Sequence, residues 1–117
     1  MATQVIKKSL RVLIVEDSES DTELVLRNIR NSGYDVTFER VETKQAMQAA
    51  LSAQGWDVII SDHSLPHFSA PGALDTLKES GLDLPFIIVS GVMGEELAVE
   101  MMRAGAHDFL LKGKISR

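Results

Sequence analysis

Four short stretches of this 117-residue sequence end in residues able to do chemistry. Glu16 and Asp17 follow Val12-Leu13-Ile14-Val15, and Ser61 and Asp62 follow Val58-Ile59-Ile60. Ser90 and Gly91 follow Phe86-Ile87-Ile88-Val89, and Lys112 follows Phe109-Leu110-Leu111. Carboxylates brought together repel one another, and a hard divalent cation with oxygen ligands relieves that repulsion. Mg²⁺ suits such a set, because it keeps several waters and needs only one or two carboxylates plus a phosphate oxygen. With a metal ion and an ammonium in place, one carboxylate can attack phosphorus while the positive charges offset an incoming phosphoryl group. Lys112 would supply the ammonium, Ser90 a hydroxyl donor and Gly91 an unhindered backbone N–H. Positioning and charge of this kind are the logic of phosphoryl transfer.

Residues so far apart meet only if the apolar runs before them lie side by side. Those runs are rich in β-branched residues and do not alternate, as expected of strands buried on both faces of a parallel sheet. Residues 34–41 alternate more and suit an edge strand, and residues 108–111 make a short fifth strand. Helical patterns separate them. Residues 21–31 carry Val25 and Ile29 on one face, and residues 43–53 group Ala46, Met47, Ala50 and Leu51 behind Thr43 as N-cap. Ala73, Leu74 and Leu77 follow Pro71, while Leu97, Ala98, Met101 and Met102 follow Glu95 and Glu96 in a first turn. Gly33, Gly55, Gly81 and Gly105 stand where helices should stop. Strict strand–helix alternation predicts an α/β domain with a parallel sheet and right-handed crossovers. In such sheets ligands bind at the carboxyl ends of the strands, where the polar residues fall.

Composition narrows the classes. Apolar residues make up 44% of the chain, which suits one packed domain over residues 1–117, with 1–9 as an N-terminal extension. A net charge of −5 argues against a direct nucleic-acid surface and for a cation or a protein partner. There is no cysteine, and no apolar run approaches the roughly 20 residues of a membrane span. The N-terminus has no apolar signal core, so a cytoplasmic protein is expected. His63 and His67 are separated by Pro66, which disfavours the helix that would align them as metal ligands, and His107 is remote. Trp56 and the methionines read as packing residues, and Gly91 and Gly94 lack dinucleotide-loop spacing.

The element order and the strand-end residues resemble the response regulator receiver domain of two-component signalling, over nearly the whole chain. That resemblance implies a flavodoxin-like sheet of order 2-1-3-4-5. It implies that Asp62, in Ile-Ser-Asp-His-Ser-Leu-Pro, is the phosphoacceptor, and that Glu16-Asp17 is the acidic pair. Ser90-Gly91 matches the hydroxyl residue and its small neighbour, Phe109 the switch aromatic and Lys112 the lysine. Asp17, Asp62 and the Ser64 carbonyl would bind Mg²⁺, with Glu16 acting mainly through a metal-bound water. A histidine kinase or phosphotransfer domain would donate the phosphoryl group, and phosphorylation would switch the conformation. Receivers also catalyse their own phosphorylation from small donors and their own dephosphorylation, so the enzyme label is partial. Whether the chain stands alone or belongs to a hybrid kinase stays open.

The sequence departs from the family pattern in places. Gly113 follows Lys112 where proline is usual, so the bond between them is expected to be trans. Residues 67–72 replace a shorter loop, and Phe109 lacks a tyrosine hydroxyl. Three rival readings fit less well. A binding-only pseudo-receiver should lack a site residue. A haloacid-dehalogenase-type phosphatase wants an acid two residues after its nucleophile, where this chain has Ser64. A flavodoxin-like electron carrier wants a phosphate loop where this chain has Glu16 and Asp17. Few residues follow Lys112, so the final helix is expected to be truncated. Val12, Ile14 and Leu110 should then be exposed, with self-association through that face.

Overall fold

Strands and helices alternate strictly: β1 (Lys8–Val15), α1 (Glu19–Asn31), β2 (Tyr34–Val41), α2 (Lys44–Ala53), β3 (Val58–Asp62), α3 (Ala70–Ser80), β4 (Phe86–Ser90), α4 (Glu95–Ala104) and β5 (Asp108–Leu111). The computed structural model describes residues 8–62, 68–91 and 95–111, with backbone alone for Glu95, Leu97, Phe109 and Leu111. All neighbouring strands pair in parallel, in the order β2-β1-β3-β4-β5. β1 already includes Lys8 and Ser9, which sequence reasoning assigns to the N-terminal extension.

The non-alternating runs are buried on both faces. Val12, Leu13, Ile14 and Val15 are each at most 1% exposed. Leu13 and Val15 join Ile59, Phe86 and Ile88 in a core under α2, α3 and α4, which contribute Met47, Leu74, Leu77 and Met101. Val12 and Ile14 face the other way and pack with Ile60, Val89 and the α1 residues Val25 and Leu26. Val12 and Ile14 are therefore not exposed as expected, because α1 lies over them; Leu110, at 42%, is exposed. Beside α1 an apolar groove remains, lined by Leu10, Ile29, Tyr34, Val58, Ile60 and Ile87.

Local chemistry starts and stops the helices. Ser18 caps α1 by accepting the Asp21 N–H at 3.1 Å, and Thr43 caps α2 by accepting from Ala46 at 3.1 Å. Ser69 caps α3 by accepting from Gly72 at 3.2 Å, with Phe68 buried just before it. Gly81 ends α3 in the left-handed region at φ 77°. Gly55 is not such a stop: α2 ends on extended Gln54, and Gly55 lies where an added Cβ would come 3.1 Å from Arg11 Nη1. Met102 is 44% exposed and not a core residue, whereas Trp56 is buried and donates to the Ala50 carbonyl at 2.9 Å.

The close approach at Gly55 belongs to a clasp that sets the β1–β3 register. The Arg11 N–H donates to the Asp57 carboxylate at 2.8 Å, and the Asp57 N–H donates to the Arg11 carbonyl at 2.8 Å. The guanidinium adds contacts of 3.4 and 3.2 Å to the same carboxylate. Val12 then pairs with Val58 one residue later. The Arg11 side chain, and next its backbone N–H, hold the Asp57 carboxyl below its ordinary value of 3.8. Asp57→Asn keeps an acceptor but loses the charge. It should cost about 0.5–1 kcal/mol near neutral pH, the scale of a partly exposed pair. A lowered folded-state pKa stabilises fully above 3.8 and less as pH falls through the folded value. Urea denaturation at neutral pH and at about pH 3 should therefore show the gap between the two proteins closing in acid.

Candidate functional site

Parallel strands point their carboxyl ends the same way, so the polar residues after β1, β3 and β4 share one edge of the sheet. Glu16 extends the ladder one step beyond β1, donating its N–H to the Val41 carbonyl of β2 at 3.0 Å. Asp62 ends β3, one residue beyond Ser61, the partner of Val15. The side-chain oxygens of Glu16, Asp17 and Asp62 all lie within 4.8 Å of one another. Glu16 and Asp62 are buried, at 5% and 9% exposure, while Asp17 is exposed and opens the cluster to solvent.

Glu16 shapes the loop that carries its neighbour. Its Oε1 accepts the backbone N–H groups of Asp17 at 3.0 Å and Ser18 at 3.1 Å. The carboxylate thus satisfies two donors of a turn that leads straight into the capped start of α1. Ser61 is fully buried and donates its hydroxyl to the Asp62 carbonyl at 3.0 Å, tying down the backbone at the end of β3.

Ser90 ends β4 and is 2% exposed, one strand over from Asp62, whose register partner is Val89. Gly91 follows it and is exposed. β5 ends at Leu111, in register with Ser90, and includes Phe109 in its backbone. Lys112 and Ser64 lie outside the described residues, as do the Lys112–Gly113 bond and His63 and His67. His107 is not near the acidic cluster: its Nδ1 accepts the Phe86 N–H at 3.0 Å, at the opposite end of β4. Sequence reasoning passes over Arg40, next to last in β2, which touches the acidic loop at the Glu16 carbonyl, 3.2 Å from Nη1. Reading the end of the second strand as closely as the others would have found it.

The three carboxylates fit a hard, octahedral cation. Bonds of about 2.0–2.1 Å put neighbouring and opposite ligand oxygens roughly 3–4 Å apart, within reach of this cluster. The donors are all oxygens, with no thiolate or imidazole among the clustered groups.

The model of the response regulator receiver domain matches residues 12–115. The chain belongs to that family. A C4-dicarboxylate transport transcriptional regulatory protein, DctD of Pseudomonas aeruginosa, is 32% identical over 87% of this chain. The chain spans only 22% of that relative's length. The signal receiver domain of a LuxO repressor protein from Vibrio parahaemolyticus superposes with a TM-score of 0.75 at 32% identity, covering 89% of this chain and 78% of that one. The Mn²⁺-bound form of response regulator Rcp1 shares the fold, with a TM-score of 0.74 at 23% identity over 90% of this chain and 82% of that one.

Glu16 both accepts two loop N–H groups and belongs to the acidic cluster, so its hydrogen bonding can be separated from its charge. Glu16→Ala leaves two partly buried N–H groups without their acceptor and should cost about 1–3 kcal/mol. Glu16→Gln keeps the acceptor and should lose little stability while weakening divalent-cation binding. Urea midpoints together with Mg²⁺ titration calorimetry on both variants check this.

Proposed function

We propose that this receiver domain accepts a phosphoryl group on Asp62 from a phosphohistidine of a histidine kinase or phosphotransfer domain, with Mg²⁺ held by Asp17, Asp62 and the Ser64 carbonyl. The observation that carries this reading is the gathering of Glu16, Asp17 and Asp62 oxygens within 4.8 Å at the carboxyl edge of the sheet. The Mn²⁺-bound form of response regulator Rcp1, which shares the fold, supports a divalent-cation cofactor. When bound, the cation supplies positive charge and an anchor for a phosphoryl oxygen.

The chain's own residues do the rest. An Asp62 carboxylate oxygen forms the bond to phosphorus as the phosphorus–nitrogen bond of the donor breaks, the electron pair leaving with the imidazole nitrogen. Burial of Asp62 at the strand end holds the oxygen in line and limits competing water. The Ser90 hydroxyl, the Gly91 N–H and the Lys112 ammonium take the phosphoryl oxygens, while Glu16 acts on the cation through water. Self-phosphorylation from small donors and self-dephosphorylation follow from the same groups. A cytoplasmic location suits a kinase partner, and no described helix is long and apolar enough to cross a membrane. The groove lined by Leu10, Ile29, Val58 and Ile87 is the surface through which self-association would run.

Incubation with Mg²⁺ and acetyl phosphate, followed by intact mass measurement, tests the assignment. Wild type should gain one phosphoryl group and Asp62→Ala none; equal gain by both would refute it.

Ser90 and Phe109 should couple the site to a surface. Movement of the buried Ser90 hydroxyl toward the phosphoryl group would vacate space for Phe109, biasing a two-state element. Beryllofluoride should therefore shift backbone amides along α4 and β5, reaching Met101 and Met102. Shifts confined to the loops around Asp17 and Asp62 would rule this out.

A further inference from the structure

Arg40 stands on the α1 side of the sheet, in register with Ile14, and its side chain is 24% exposed. Both outer nitrogens are engaged. Nη1 donates to the Glu16 carbonyl at 3.2 Å and to Glu42 Oε2 at 2.9 Å, and Nη2 lies 3.7 Å from Glu19 Oε1. The residue therefore ties together the loop after β1, the first turn of α1 and the loop after β2.

The Glu16 carbonyl and the Asp17 N–H belong to one peptide unit. Arg40 holds the carbonyl end, and the Glu16 carboxylate holds the N–H end at 3.0 Å. A planar unit held at both ends resists rotation, which restricts the direction in which Asp17 leaves the backbone. We propose that Arg40 is a positioning residue for the divalent-cation site, orienting Asp17 by fixing the peptide that joins it to Glu16. This deepens, and rests on, the assignment of Asp17 as a cation ligand.

Geometry rather than charge is the means. A cation this close to a cation site would oppose metal binding if its charge were left facing it. Here Glu42 and Glu19 face the guanidinium from the other sides and offset it. The planar fork is what lets the guanidinium span those groups while keeping a hydrogen for the Glu16 carbonyl, a geometry a lysine does not reproduce. Groups that orient a metal ligand typically change affinity by about 10–100-fold when removed.

The test uses Arg40→Met, Arg40→Lys and Glu42→Gln in the full chain. Mg²⁺ affinity is measured by titration calorimetry, the Asp17 amide exchange rate in metal-free protein by NMR, and the urea midpoint alongside. Arg40→Met and Arg40→Lys should both bind Mg²⁺ about 10-fold more weakly. Both should exchange the Asp17 amide faster than wild type before any metal is added. Glu42→Gln removes the charge offset but keeps an acceptor for Nη1, so it should weaken Mg²⁺ binding while leaving the Asp17 amide exchange as in wild type. Tighter Mg²⁺ binding by Arg40→Met, with Arg40→Lys like wild type, would show that Arg40 acts by charge and overturn the proposal. Unchanged affinity and exchange in both Arg40 variants, with only the urea midpoint shifted, would reduce Arg40 to a surface ion pair and overturn it as well. Should Arg40→Met fail to fold, Arg40→Lys decides by the same two readouts. Wild type that binds Mg²⁺ while Asp17→Asn binds equally well would instead overturn the ligand assignment beneath the proposal.

Discussion

Repulsion among carboxylates is the constraint around which this molecule is arranged. Glu16 and Asp62 are both buried, Asp17 is exposed, and the side-chain oxygens of all three lie within 4.8 Å of one another. At an effective dielectric of about 20, two such charges oppose each other by roughly 3 kcal/mol. That is a sizeable fraction of the ~5–15 kcal/mol that holds a whole domain folded. A parallel sheet can sustain it, because the strands that carry these groups are locked by burial well below the charged edge. Among the described residues Val12 to Val15 form a run at most 1% exposed, and the acidic pair begins one residue later.

The same constraint explains why the loop after β1 is so heavily bonded. Its donors are satisfied by the Glu16 carboxylate, its carbonyl by Arg40, and its far end by the Ser18 cap. Each bond is modest alone. Together they remove the freedom by which the loop would otherwise swing its charges apart, so a cation would meet ligands already gathered. Association is strengthened when ordering is complete beforehand.

Much of this was legible in the sequence because two simple regularities hold. Apolar runs without alternation are buried on both faces, and the residue types just beyond them gather at one edge. Those rules place β1, β3, β4 and the acidic cluster. What they miss depends on tertiary neighbours. Gly55 follows a helix, as a stop should, yet its smallness answers to the Arg11 guanidinium beside it. Met102 has the spacing of the α4 stripe, yet only Met101 turns inward. Among the described residues, α1 is the helix that covers Val12 and Ile14, which no local pattern reveals. Arg40 looks like any charged residue of an edge strand until its reach across to the β1 loop is seen.

The two margins of the sheet are left to water by different means. A strand with a vacant hydrogen-bonding side invites pairing with a neighbouring molecule. β2 runs eight residues and would be the more inviting margin, but Asp35, Thr37 and Glu39 stand exposed along it. Among the described residues, β5 presents only four. Charge blunts one margin and brevity the other, so any fibril-like stacking of copies edge to edge is disfavoured at both. The carboxylates of β2 thus serve solubility at one rim, while those at the ends of β1 and β3 gather into a cluster at another.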